Sequence, residues 1–131
     1  MNMNAFADAL YDVLRTKYTQ VYRNKAPQSP TYPFIIYRVE NVLDMSPSDD
    51  LYVHVDVYDD ANVSVRALEN LADLIDGDGD GLSPSGLNQL IIQTNELNAH
   101  FKREQRQHIP SLEIGGVQAV NLRYDVRVYF N

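Results

Sequence analysis

Three aspartates alternate with glycines in one short stretch of the chain, a spacing at which carboxylates can converge on a cation. The stretch is LIDGDGDGLSPSG, and its acidic residues are Asp76, Asp78 and Asp80. A calcium loop of the EF-hand type that starts at Asp76 needs a bidentate acidic ligand at its twelfth position. Leu87 stands there. The three aspartates are therefore only weak candidates for a metal site, and we predict no metal and no cofactor.

The same stretch is well suited to a turn. Gly77 stands where a helix is expected to stop, and further turn-forming residues follow it. They are Gly79, Gly81, Pro84 and Gly86. We expect a solvated loop between a helix and a strand.

Catalytic chemistry has one weak candidate, His54 with Asp56, two residues apart on one strand face. The pair could form a hydrogen bond or bind a metal, but alternation alone places polar residues on a solvated face. The chain has no Gly-x-Ser-x-Gly elbow, phosphate-binding loop or dinucleotide fingerprint. We therefore predict no catalytic residues and no enzyme.

Charge and composition narrow the function classes. The formal net charge of −7 argues against direct nucleic-acid binding, which depends on Lys and Arg displacing counterions. The absence of cysteine excludes disulfides and thiolate sites, and fits synthesis in a reducing cytoplasm. No stretch approaches the roughly 20 apolar residues that cross a bilayer, so no membrane partner is expected.

The periodicity predicts one α+β domain over residues 1–131. Apolar residues recur every three or four positions over residues 4–21 and 59–76, which predicts two helices. Two strands, FIIYRVENVL and YVHVDVY, lie between the helices and form a hairpin, after the proline-rich connector NKAPQSPTYP. LNQLIIQTNEL is predicted as a strand, HFKREQRQHIP as a strand or loop, and AVNLRYDVRVYF as a long strand. The order α-β-β-α-β-β(-β) predicts an antiparallel or mixed sheet with both helices on one face.

The outward face of the second and last strands is the candidate interaction surface. Tyr and Arg are enriched in protein interfaces, whereas cross-strand pairs of Asp56 with Arg123 or Arg127 would also stabilise an ordinary solvated sheet. The candidate interface residues are Tyr52, His54, Asp56, Tyr58, Arg123, Arg127 and Tyr129. The hairpin tip, which we expect to be mobile, comprises Met45, Ser46, Pro47, Ser48, Asp49 and Asp50.

Three stretches carry a resemblance to a known family. YPFIIYRVENVL, YVHVDVYDDANVSVRALENLADLID and AVNLRYDVRVYF together resemble the tail terminator (tail completion) and neck proteins of long-tailed bacteriophages. The resemblance rests on the order and patterning of elements over nearly the whole chain. The acidic loop at residues 76–81 and the segment 98–110 depart from it.

The resemblance implies a structural role in the virion. Such proteins form a ring, commonly of six subunits, that caps the tail tube, ends its polymerisation and joins the head. The implied partners are further copies of the chain, with a monomer expected before assembly, the tail tube protein and a head-side connector. DNA would pass through the channel without specific binding. The alternative is a cytoplasmic α+β module that binds a small ligand or a peptide on its sheet.

Overall fold

The computed structural model describes residues 3–44, 48–110 and 116–130, which form two helices and one mixed sheet of six strands. The helices are α1 (Met3–Lys17) and α2 (Val65–Asp76). The strands are β1 (Val21–Arg23), β2 (Phe34–Asp44), β3 (Asp49–Asp60), β4 (Ile91–Gln93), β5 (Leu97–Ile109) and β6 (Val117–Phe130). Across the sheet they lie in the order β1-β2-β3-β6-β5-β4, and the sheet curls into a half-barrel. The predicted α+β class is confirmed, and the predicted element order is confirmed only in part.

The first helix is shorter than its sequence pattern predicts. Its apolar stripe is buried through Phe6, Ala7, Leu10 and Leu14, but the helix ends at Lys17. Val21, the last residue of the predicted helix, instead opens β1, a strand that the sequence did not predict. A three-residue strand is too short to show the alternation that identifies a strand. Val21 happens to fit the helical spacing of the preceding residues, so the sequence pattern extends the helix to it.

The proline-rich connector forms neither helix nor strand, as predicted. It carries the chain from the end of β1 to the start of β2, so that these two strands pair in parallel, with Val21 opposite Ile35. A parallel pair cannot be joined by a tight turn, which is why a long connection is needed here. All other strand pairings are antiparallel.

The central strands form the predicted hairpin, and the last strand pairs with it. β2 and β3 are antiparallel, with Tyr37 opposite Val55, and β3 pairs with β6 along its whole length, from Asp49 opposite Val128 to Asp60 opposite Val117. Asp49 and Asp50 of the predicted tip thus lie within β3, and Ser48 before them is buried. Met45, Ser46 and Pro47 lie outside the described residues.

The segment predicted as a strand or a loop is a long strand. β5 covers residues 97–109 and pairs with β6 throughout. The strand predicted over residues 87–97 is confined to Ile91–Gln93, because the amides of Glu96 and Leu97 donate to Thr94 Oγ1 and turn the chain into β5.

The second helix has well-defined ends. Ser64 is the N-cap, and its hydroxyl accepts a hydrogen bond from the Arg66 amide at 3.1 Å. At the other end Gly77 has a φ of +80°, and a Cβ there would lie 2.3 Å from the backbone nitrogen of Gly86. Only glycine tolerates this close approach, so the loop at residues 77–86 folds tightly back onto the helix end.

Both helices pack on the same face of the sheet. The Phe6 ring of α1 lies against Phe101 of β5, with centroids 6.0 Å apart. On α2, Asp76 accepts a 2.7 Å hydrogen bond from the Tyr124 hydroxyl of β6. Phe101 and Tyr124 are fully buried and face the same side of the sheet. The opposite side, called the outer sheet face below, is covered by neither helix.

Candidate functional site

The outer sheet face consists of the alternate residues of each strand that point away from the helices. In β3 the inward residues, such as Val53 and Val55, are fully buried, whereas the residues between them remain partly exposed. The predicted interface residues of β3 all belong to this outward set. They are Tyr52, His54, Asp56 and Tyr58.

The strand register brings the β6 candidates to the same face. Arg123 lies directly opposite His54, and Arg127 lies opposite Asp50. Tyr129 is further along β6, opposite Asn98 of β5, and its side chain is exposed. The seven residues therefore form a band that runs diagonally across the face, with Tyr58 and Tyr129 at its two ends.

Arg123 stands at the centre of this band. Its guanidinium carbon lies 5.0 Å from the centroid of the Tyr52 ring, which is a cation–π distance. Its Nε atom is buried and has no hydrogen-bond partner among the described residues. A buried donor without a partner costs free energy, which an incoming acceptor would recover.

The predicted ion pairs of Asp56 are not the pairs that form. Asp56 lies opposite Asn121, while Arg127 Nε is 3.5 Å from an oxygen of Asp50. His54 Nε2 contacts the Glu40 carboxylate at 3.0 Å rather than Asp56. Arg127 and Asp50 are directly opposed in the strand register, whereas Glu40 lies opposite Tyr52 and reaches His54 diagonally, so both contacts are cross-strand.

Burial shifts the proton affinity of Asp56. Its surroundings raise the pKa of the carboxyl because they desolvate the charged form, and the positive charges of His54 and Arg38 only partly oppose this. The His54 imidazole binds Glu40 through Nε2 and lies close enough to Asp56 to act on its carboxyl. Both side chains line a polar depression in the sheet surface.

The depression is a cavity of about 140 Å³ at the centre of the outer sheet face. Ligand pockets for small molecules usually enclose roughly 300–1,000 Å³, so this one holds little more than a single functional group. It is lined chiefly by polar side chains: Arg38, His54, Asp56, Gln105, Gln107, Asn121 and Arg123. It could accept a carboxylate or a backbone carbonyl of a partner protein.

An aromatic cluster borders the face at the start of β2, and sequence reasoning missed most of it. Phe34 stacks on Tyr58 with ring centroids 5.2 Å apart and on Tyr32 with centroids 5.5 Å apart. Tyr22 of β1 meets the edge of Phe34 at 6.4 Å. The aromatic residues around the last proline of the connector, in TYPF, are the signal that could have pointed to it.

The outer sheet face carries charges of both signs. Its basic residues are Arg38, Lys102, Arg123 and Arg127, and its acidic residues are Glu40, Asp50, Asp56, Asp60 and Asp125, with Glu104 beside Asp125. Most of the net charge of −7 therefore resides on other surfaces. Interleaved charges of both signs favour contact with a protein over contact with a polyanion.

The three weak metal candidates have different structural roles. Asp76 is 3% exposed, and its two carboxylate oxygens accept hydrogen bonds from Arg103 at 2.6 Å and Tyr124 at 2.7 Å. Asp78 and Asp80 accept bonds from loop amides two residues further on. The Asp80 amide lowers the pKa of the Asp78 carboxyl, although that group is fully exposed. In the described ranges no three His, Asp or Glu side chains are grouped to hold a metal.

A further charged cluster, between β5 and α2, was not predicted at all. Arg106 bridges Glu69 and Asp73, while Arg103 binds Asp76. The three acidic residues are spaced four and three apart on one side of α2, which places them on one helical stripe. The spacing of the acidic residues was visible in the sequence. Their arginine partners, however, lie on β5, a segment that the sequence predicted only as a strand or a loop.

Comparison with known proteins does not identify the chain. It matches no known protein family, and no curated protein sequence is similar enough to match it. Neither helix in the described part of the chain has the length and apolar character needed to cross a bilayer.

Proposed function

We propose that this protein is a structural component of a phage or prophage virion, which caps the tail tube as a ring and provides the surface for head–tail joining. The observation that carries the proposal is the outer sheet face, where tyrosines and charges of both signs lie uncovered on a rigid sheet. Such a face suits association with protein surfaces that repeat around a ring.

The ring arises by heterologous association, in which one face of each copy meets a different face of the next until the rotation closes. A hexamer is the expected closure, from copies that are monomeric before they reach the tube. Support for a cyclic contact comes from the asymmetry of the molecule, since the outer sheet face interleaves charges of both signs while most of the net acidity lies elsewhere. Two such different faces can meet in a directional manner.

The partners in this proposal are the tail tube protein on one side and a head-side connector on the other. The hairpin tip around Ser48, Asp49 and Asp50 and the loop at residues 77–86 are the contacts we propose for these partners. DNA passes through the channel without specific binding. On the outer sheet face no excess of basic side chains is available to retain phosphates.

Electron microscopy of a lysate in which this gene is deleted from its phage or prophage tests the proposal. Overlong tails without heads, beside filled heads, are expected for a terminator. Tails of normal length that fail to join heads would indicate a neck protein. Complementation with the wild-type gene should restore normal particles, whereas intact infectious particles in the deletion lysate would contradict the proposal.

A second candidate function, a ligand- or peptide-binding module, is favoured by a groove between α1 and β4. The groove has a volume of about 400 Å³, within the usual range for ligand sites. Its apolar lining includes Ala9, Val13 and Ile92, and its acidic residues are Asp8, Asp12 and Glu96. A short peptide of alternating Lys and Leu should raise the melting temperature if the groove binds basic segments. That shift should disappear in the Asp8→Asn/Asp12→Asn variant.

A further inference from the structure

Leu82 is the most unusual apolar residue on the described surface. Its side chain is 98% exposed, and it projects from the loop at residues 77–86. The loop is nevertheless well ordered by its own hydrogen bonds. Asp78 binds the Asp80 amide, Asp80 binds the Leu82 amide, and Ser85 Oγ accepts from the Asp78 amide. The loop thus presents a leucine shortly after two aspartates, and because its own hydrogen bonds hold it, it loses little conformational entropy on binding.

An apolar cleft with a basic rim lies elsewhere on the molecule, where β4, β5 and β6 meet the outer sheet face. This edge cleft has a volume of about 320 Å³. Its lining includes Ile91, which is 60% exposed, and Tyr129, which is 43% exposed. His100 and Arg127 provide its basic groups.

Arg127 remains available to a partner. Within the described ranges its only ion pair is the 3.5 Å contact of Nε with Asp50, and its side chain is 59% exposed. The rest of the guanidinium can therefore face an incoming carboxylate. The edge cleft and the Leu82 loop are complementary both in polarity and in charge, since one offers exposed apolar surface beside a cation and the other offers a leucine beside carboxylates.

We propose that the Leu82 loop of one copy of this chain inserts into the edge cleft of a second copy, with Leu82 against Ile91 and Tyr129 and with Asp78 or Asp80 towards Arg127. This inference rests on the proposed ring function. It specifies the interface by which neighbouring subunits of the ring would contact each other. Because the loop and the cleft are different surfaces, the contact is heterologous and leaves a free cleft at one end and a free loop at the other, as ring closure requires.

Cysteine cross-linking tests this contact directly, because the chain has no cysteine of its own. Ser83→Cys places a thiol beside Leu82, and Gln93→Cys places one on the rim of the edge cleft; both side chains are exposed. The two variants, carrying tags of different mass, are mixed and oxidised. Gln107→Cys, another exposed glutamine on the outer sheet face, is the matched control for the cleft position.

The expected result is that Ser83→Cys cross-links to Gln93→Cys at least about tenfold more than to Gln107→Cys at equal protein concentration. Adding Leu82→Ser to the Ser83→Cys copy, or Ile91→Ser to the Gln93→Cys copy, should each lower the yield roughly tenfold, the size typical of a central interface residue. Val63→Ser, at an exposed apolar residue outside both surfaces, should leave the yield unchanged. Circular dichroism of each variant confirms that it is folded.

The contact would be overturned if Ser83→Cys cross-links equally well to Gln93→Cys and to Gln107→Cys. The comparison extends up to the protein concentration at which the Gln107→Cys control pair begins to cross-link. A yield that does not respond to Leu82→Ser would also overturn it. Failure here together with overlong tails in the deletion lysate would remove this joint but leave the proposed function. A specific cross-link together with intact infectious particles would support the contact and remove the phage role.

Discussion

At the scale of single residues, the carboxylate of Asp76 is held on both of its oxygens. It is almost completely buried at the end of α2, where a negative charge is opposed by the helix dipole. Two donors compensate: the guanidinium of Arg103 and the hydroxyl of Tyr124. An aspartate that the sequence suggested as a metal ligand thus connects α2 to β5 and β6.

Replacing Tyr124 with Phe should destabilise the protein by about 1.5–3 kcal/mol, because it removes one hydrogen bond to a buried charge. Urea denaturation measures the change. Tyr22→Phe is the matched control, since that hydroxyl donates to the neutral Gln20 side chain at 2.6 Å and should contribute only about 1 kcal/mol. Equal losses in the two variants would show that the Asp76 carboxylate does not depend on Tyr124.

Tyr37 provides a pH-dependent contribution to stability. Burial raises the pKa of its phenol from 10.0 to about 12, so the unfolded chain releases this proton at a lower pH than the folded chain does. The contribution is complete below about pH 10 and is lost as the pH rises towards the folded-state value, by up to about 1.4 kcal/mol per pH unit.

Urea denaturation at several pH values from about 9 to 11 should therefore show a steeper loss of stability in the wild type than in Tyr37→Phe. Burial also raises the pKa of Tyr124, which both proteins retain, so the difference between them isolates Tyr37. Parallel curves would mean that the Tyr37 phenol ionises equally easily in the folded and unfolded chains.

At the scale of elements, an irregularity in β5 determines which residues face α2. The pairing with β6 shifts between Arg103 and Gln105, so that Glu104 is an extra residue. Strict alternation would place Arg103 and Arg106 on opposite faces, but the bulge places both opposite inward residues of β6. It thereby aligns two arginines with the acidic stripe of α2.

The two arginines should contribute unequally. Arg103→Ala leaves the buried Asp76 without its cation and should cost about 2–3 kcal/mol, below the usual loss for a fully buried pair because Arg103 is 38% exposed. Arg106→Ala breaks pairs with the more exposed Glu69 and Asp73 and should cost about 1 kcal/mol or less. Urea denaturation of both variants checks the order, and a larger loss for Arg106→Ala would contradict it.

At the scale of the whole molecule, the fold separates a face used for packing from a face that is free to make contacts. Both helices cover one side of the sheet, and nearly all the buried apolar side chains lie between the helices and that side. The outer sheet face contributes little to the core. Its residues can therefore be changed with small effects on folding, which separates assembly from stability in experiments.

Arg123→Ala tests this separation. We expect a stability change of at most about 1 kcal/mol, since Arg123 Nε makes no hydrogen bond to any residue that the structure describes and the Tyr52 contact is a partly exposed cation–π pair. In complementation of the deletion phage, the variant should nevertheless give overlong or headless tails. Arg66→Ala, on the exposed side of α2, is the control and should restore normal particles. Normal particles with Arg123→Ala would exclude this residue from the assembly surface.

Long periodic segments determined much of the fold from the sequence alone. The cores of α1 and α2, the β2–β3 hairpin and β6 were all predictable. In each of them the spacing of apolar residues shows both the type of element and the face that is buried. The alternation of β3 and β6 also identified the outward residues correctly. The short strands β1 and β4 were beyond this reasoning, since three residues carry no period.

Only the tertiary structure decided which of these residues meet. The sequence offered Asp56 as the partner of Arg123 or Arg127, but the antiparallel register gave Arg127 to Asp50 and placed Arg123 over Tyr52. It offered Asp76 to a metal, but the alternation of β5 from Leu97 placed Arg103 against it instead, and the bulge that follows brought Arg106 to the same face. Local patterns fix which face a side chain occupies, whereas its neighbour across the sheet depends on register and bulges, which arise from the packing of the whole chain.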